Sequence, residues 1–137
     1  MKENLCILQF DDDDNYFAVT EIIFFNMGLE MTARAQTIAE TRDLISKIEA
    51  KKLKPDIAIV ANYLGNNFED GRKLSKKLKE IAPEVKIIAY VVDSETEWGD
   101  YIAIKSGTDA KNSLITILSE LTGKQFTSSN IKDSEHH

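Results

Sequence analysis

Apolar residues in this chain fall into short continuous runs separated by longer segments in which they recur every three or four positions. Leu5-Cys6-Ile7-Leu8-Gln9-Phe10, Ile57-Ala58-Ile59-Val60-Ala61 and Val85-Lys86-Ile87-Ile88-Ala89-Tyr90-Val91-Val92 have the length and the β-branched content of strands buried on both faces. Tyr101 to Lys105 is a shorter run of the same kind, and Leu29 to Ala35 alternates loosely as a second strand. Between them, Phe17, Ala18, Glu21, Ile22 and Phe25 recur at helical spacing, and Met27-Gly28 closes that first helix. A second helix opens at Thr37 or at Glu40-Thr41 with Ile38, Leu44, Ile45 and Ile48 as its apolar stripe. The third runs from Arg72 to Ile81, where Ala82-Pro83 ends it. A last helix follows Ser106-Gly107-Thr108-Asp109, with Leu114, Ile115, Ile117, Leu118 and Leu121 inward.

Strands alternating with helices imply an α/β fold with a doubly wound parallel sheet. The alternation breaks once. Only Asp93 to Asp100, eight residues, joins the fourth and fifth strands. A parallel crossover normally takes a dozen or more residues and a helix. Eight extended residues reach roughly 26 Å, enough for a bare return along a short strand. A parallel fifth strand is therefore expected, with an antiparallel hairpin as the alternative. The domain is expected over residues 4–122, and 123–137 is a polar stretch expected to be a disordered tail. It ends in His136-His137, which read as the start of a purification tag.

Composition narrows the function classes. A chain of 137 residues holds one domain with a real core. A net charge of −6 argues against nucleic acid as a direct partner. Lys73, Lys76, Lys77 and Lys79 share a helix with Leu74, Leu78 and Ile81 and read as its solvated face. The apolar runs are too short to span a membrane, and the start of the chain lacks a secretory pattern, so a cytoplasmic location is expected. With histidine confined to the last two positions, Ser-His-Asp triads and histidine zinc sites are excluded. Cys6, inside an apolar run, is expected to be inert.

In open α/β sheets chemistry gathers past the carboxyl ends of the strands. Asp11-Asp12-Asp13-Asp14 stands there after the first strand, Ala61 after the third and Lys105 after the fifth. The aspartates could bind a hard cation, but without a third carboxylate at position 61 the cap of the helix that follows is the preferred reading. Lys105 is expected to pair with Asp11 or Asp12. Alanine at position 61 offers no carboxylate, hydroxyl or base.

The acidic cluster after strand 1, Pro55-Asp56 before strand 3, the glycine-containing loop with Asp70-Gly71, and Lys105 at the end of strand 5 together resemble the response-regulator receiver family. The resemblance covers about residues 4 to 122. It implies a flavodoxin-like fold with strand order 2-1-3-4-5, and phosphorylation of an aspartate at the end of strand 3 with Mg²⁺, a threonine or serine after strand 4, and the strand 5 lysine. By the resemblance, Asp11 and Asp12 fall on the metal-binding acidic pair and Lys105 on the lysine, although Ser106 replaces the proline that usually follows. Ala61 falls on the phosphoacceptor position and Val91 on the threonine or serine position. The helix between strands 4 and 5 is missing or reduced. The chain therefore resembles a degenerate, or pseudo-, receiver.

The leading expectation is a phosphorylation-independent protein-interaction module in signal transduction, with a protein partner and no enzymatic turnover. No cofactor is required, although millimolar Mg²⁺ or Ca²⁺ at Asp11 and Asp12 is compatible with the residues. The alternative is a receiver still phosphorylated or ligand-switched at the Asp11–Asp14 pocket in a two-component phosphorelay. A third class, a metal-dependent phosphatase built on the aspartates, lacks a second set of acid-base groups. Loss of the covering helix would leave apolar sheet exposed, so Tyr90, Trp98 and Tyr101 are candidate interface residues of a homodimer or partner complex. The plainer alternative is that Trp98 folds back as a lid on its own sheet.

Overall fold

A computed structural model describes residues 5–62, 70–92, 96–105 and 110–127. Its elements are β1 (Ile7–Phe10), α1 (Asp14–Met27), β2 (Ala33–Ala35), α2 (Ile38–Glu49), β3 (Ile57–Val60), α3 (Asp70–Ile81), β4 (Lys86–Val91), β5 (Tyr101–Ile104) and α4 (Ala110–Thr122). The strands form one sheet in the order β2-β1-β3-β4-β5, the flavodoxin-like order expected. Every neighbouring pair is parallel, β4 and β5 included.

Local chemistry sets the element ends. The Asp13 side chain accepts the Asn15 N–H at 2.9 Å and caps α1. Gly28 ends that helix at φ 70°, where a side chain would be strained, and Leu29 N–H returns to Phe24 O at 2.9 Å. Thr37 and Glu40 form a reciprocal capping box that starts α2. Two carboxylates satisfy strand amides: Asp56 Oδ2 accepts Cys6 N–H and Asp100 Oδ2 accepts Ile87 N–H, each at 2.8 Å.

Alternation along the strands divides the core in two. Leu8, Phe10, Ala58, Val60 and Ile87 pack against Leu44, Ile48, Leu74 and Leu78 of α2 and α3. Ile7, Ile57, Ile59, Ile88, Tyr90 and Ala103 pack against Ile23, Phe24, Met27, Leu114 and Leu118 of α1 and α4.

One helix is rotated from the expected face, and a second departs from it at one position. In α1 the buried positions are Phe17, Thr20, Ile23, Phe24, Asn26 and Met27, whereas Ile22 is 54% and Phe25 71% exposed. This helix is apolar around most of its circumference, so periodicity alone does not fix its rotation. In α2, Ile38 is 47% exposed while Thr41, Leu44 and Ile48 face inward. On the buried face of α1, Thr20 Oγ1 meets Gln9 Oε1 at 2.6 Å, a polar pair beneath the helix.

Among the described residues no helix separates β4 from β5. The connector is fastened instead at its end, where Asp100 pairs with Lys79 at 2.7 Å and Lys79 also donates to Val85 O at 2.6 Å. Lys79 is thus a clamp on the connector, unlike the solvated lysine expected. Lys77 forms an ion pair with Glu49 of α2 at 3.3 Å. Residues 123–127, expected within a disordered tail, are placed: Thr127 N–H donates to Asn26 O at 2.8 Å and Phe126 packs beside the α1–α4 core. Ser106 to Asp109, expected to cap the last helix, lie outside the described residues.

Candidate functional site

The strands end together on one edge of the sheet. Phe10 pairs with Val60, and Val60 with Ala89. The row one residue further on holds Asp11, Ala61 and Tyr90, with Ala61 N–H bonded to Phe10 O at 2.9 Å. Residues in register share a face, and this row shares its face with Ile59 and Ile88, the side covered by α1 and α4. Val91 points to the opposite face. The position beside Ala61 is therefore held by Tyr90, correcting the assignment to Val91; a shift of one residue in a strand reverses the face.

Asp11 is 0% exposed. Its Oδ1 accepts the Asp13 N–H at 3.0 Å, and its Oδ2 lies 2.7 Å from Lys105 Nζ. That approach is close but poorly directed for a hydrogen bond, so the attraction is mainly Coulombic. Burial pushes the Asp11 carboxyl above the ordinary carboxylate range, and the Lys105 charge only partly pulls it back. The side chains are 10% exposed for Lys105 and 1% for Asp11. A pair this buried loses most of its Coulombic gain to desolvation.

Aromatic rings complete the enclosure. Lys105 Nζ lies 4.1 Å from the centroid of Tyr16 and 5.5 Å from that of Tyr90. Their π-faces are attractive to an ammonium. The two rings meet edge to face, 5.7 Å apart at 80°. Burial, followed by the proximity of Tyr16 and Asp11, pushes the Tyr90 phenol up to about 12. Tyr16 was missed in the sequence. Its signal was its place in the first turn of the helix that follows the acidic strand end.

The expected metal pair is not assembled. Asp11 is held by Lys105, and Asp12, in the bend that follows, is exposed. Among the described residues no group of three His, Cys, Asp or Glu could hold a metal ion. A divalent cation here would have to displace the lysine and would find no carboxylate at Ala61, so this donor set does not fit Mg²⁺.

The expected interface residues are separated as well. Tyr90 is 1% exposed and lies on the α1–α4 side, as does half-buried Tyr101. Trp98 lies on the other side, against the core of α2 and α3. Its ring rests over Gly71, where an added Cβ would come within 2.9 Å of it and collide with the Ala61 carbonyl. Trp98 is the lid on its own sheet, standing where a helix would otherwise cover it. The three residues do not form one surface.

No protein-family model matches the chain, and no curated protein matches it in sequence. Solved structures do match. A response regulator receiver domain protein (CheY-like) from Methanospirillum hungatei superposes with a TM-score of 0.65 at 21% identity, over 88% of this chain and 96% of that one. The fold is that of a receiver domain. The isolated REC domain of RcsB from Salmonella enterica serovar Typhimurium, in the presence of phosphomimetic BeF3⁻, gives 0.66 at 19% identity, over 91% of this chain and 93% of that one. The N-terminal domain of a response regulator/sensory box/GGDEF protein from Carboxydothermus hydrogenoformans gives 0.64 at 18%, over 96% and 98%. At such identities the likeness carries the receiver fold, and the chemistry rests on the side chains.

Proposed function

We propose that this chain is a pseudo-receiver, a protein-interaction module of a signalling system that acts without phosphorylation and without turnover. One observation carries the reading: the row Asp11, Ala61, Tyr90 offers no nucleophile at its centre, and its one carboxylate, Asp11, is buried against Lys105. Aspartyl phosphorylation needs a carboxylate in line with the donor, and a methyl group cannot supply one. Lys105, the charge that would face a phosphoryl group, is engaged by Asp11 and lies against the rings of Tyr16 and Tyr90. Asp12 is exposed and outside this enclosure, which counts against phosphorylation of the acidic cluster itself.

The module works in the cytoplasm on a protein partner, not on nucleic acid, consistent with a net charge of −6. No described helix is long and apolar enough to cross a membrane. Incubation with acetyl phosphate and Mg²⁺, followed by intact mass, tests the reading. No mass gain is expected; one added phosphoryl group, lost in Asp12→Ala, would overturn it.

A further inference from the structure

A cavity of about 940 Å³ lies at the edge of the sheet opposite the row of Asp11, Ala61 and Tyr90. Its walls are the segments that lead into β1, β2 and β3, together with Thr122 and Lys124 at the end of α4. Its floor is apolar. Leu5, Leu29 and Met31 border the core of α1 and α4, Cys6 and Leu53 border that of α2 and α3, and all are half-buried. Backbone and side chain pin this floor: Ile7 N–H donates to Thr32 Oγ1 at 3.0 Å, Thr32 N–H to Ile7 O at 2.9 Å, and Cys6 N–H to Asp56 Oδ2 at 2.8 Å. Size and fixed walls are those of a preformed small-molecule site. The rim is basic in an acidic chain. Lys52, Lys54 and Lys124 stand exposed around it, with Glu30 alone among the acidic residues lining it, whereas the whole chain carries −6.

We propose that this cavity binds a small amphipathic anion, a carboxylate on an apolar body, with the body on Leu29, Met31 and Leu53 and the charge toward Lys52, Lys54 and Lys124. The lysines are not spent on the fold. Among the described residues none of them makes an ion pair. Nor do they cap the helices that end here, because backbone bonds already do so: Leu29 N–H to Phe24 O and Lys52 N–H to Lys47 O, each at 2.9 Å. A concave site rimmed by one sign of charge concentrates ligands of the other. An inorganic anion would leave the apolar floor wet, and a neutral or cationic amphiphile would leave the ammonium groups without a counter-charge. The site shares no residue with the Asp11, Ala61 and Tyr90 row, so its failure leaves the proposed function untouched.

Octanoate, octan-1-ol and acetate, titrated into the isotope-labelled full chain and followed by amide spectra, separate the two halves of the proposal. Octanoate is expected to shift the amides of residues 29–32 and 52–54 in a saturable way. Octan-1-ol, which lacks the charge, and acetate, which lacks the body, should each bind about tenfold more weakly or worse. Lys52→Gln with Lys54→Gln should weaken octanoate about tenfold or more without lowering the thermal midpoint, because both side chains face water and pair with nothing described. Met31→Ser should weaken octanoate and octan-1-ol alike. Equal affinity for octanoate and octan-1-ol, unchanged binding by the double lysine variant, or shifts confined to other parts of the chain would overturn the proposal. Binding to phosphatidylglycerol vesicles without binding of octanoate would overturn it in favour of a membrane surface. Tighter octanoate binding on Asp133→Asn with Glu135→Gln would overturn it in favour of the acidic end of the chain itself.

Discussion

Asp11 and Lys105, at the ends of β1 and β5, are joined 2.7 Å apart across a sheet edge that has alanine at its centre. The lysine ammonium also lies 4.1 Å from the centroid of the Tyr16 ring. The charged groups of this edge are thus engaged with one another.

Breaking one half of this pair should cost more than removing both. Lys105→Met leaves a buried carboxylate without its counter-charge, and Asp11→Asn leaves a buried ammonium. Each is expected to destabilise the fold by about 3–5 kcal/mol, and the double variant by much less than their sum. Urea denaturation of the four proteins in a double-mutant cycle measures this.

Tyr90 should ionise late, at about 12. A raised folded value means that the folded state keeps a proton the unfolded state gives up above its ordinary value of 10.0. The Tyr90 contribution to stability is complete below 10 and is lost as pH rises toward about 12. Ultraviolet titration should show this late step and its disappearance in Tyr90→Phe.

Asp100 works in the opposite direction. Burial alone would raise its carboxyl, but the Ile87 N–H and the Lys79 ammonium together hold it below the ordinary 3.8. Its contribution is present above 3.8 and is lost as pH falls through the lower folded value. Asp100→Asn should therefore be less stable than the parent at pH ~7, with the difference shrinking under strong acid. Urea midpoints at the two conditions check it.

The contact under Trp98 is equally specific. Gly71→Ala puts a methyl against the Ala61 carbonyl and the Trp98 ring and should cost about 1–3 kcal/mol. Trp98 is the only tryptophan, so a red shift of the intrinsic emission should report its displacement.

Restoring phosphorylation should need two changes on one row. Ala61→Asp alone is expected to gain no phosphate from acetyl phosphate and Mg²⁺, because the bulky Tyr90 remains next to it on the row and Lys105 remains paired with Asp11. Ala61→Asp with Tyr90→Thr should gain one phosphoryl group, seen by intact mass. Pairing Ala61→Asp with Val91→Thr should not, because Val91 faces the other side of the sheet.

Much of this was legible in the chain itself. The runs around Ile7, Ile59 and Ile88 place strands, Gly28 and Pro83 end helices, and the short span from Asp93 to Asp100 leaves no room for a full helix. That position 61 carries no nucleophile is a matter of residue type alone. These features are local: they depend on backbone preference, on apolar run length, or on what atoms a side chain carries.

Tertiary structure decided the rest, because each remaining question concerned which of two faces a residue takes. An unpaired strand does not say whether Tyr90 or Val91 stands beside Ala61; the hydrogen-bond register with β3 does. A helix apolar all round does not say that Ile22 and Phe25 stay in water; packing of Ile23, Phe24 and Met27 against the sheet does. Trp98 had two readings until the close approach at Gly71 put its ring against its own core. Residue types are written in the chain, but which of them meet is set by pairing and packing between segments far apart in it.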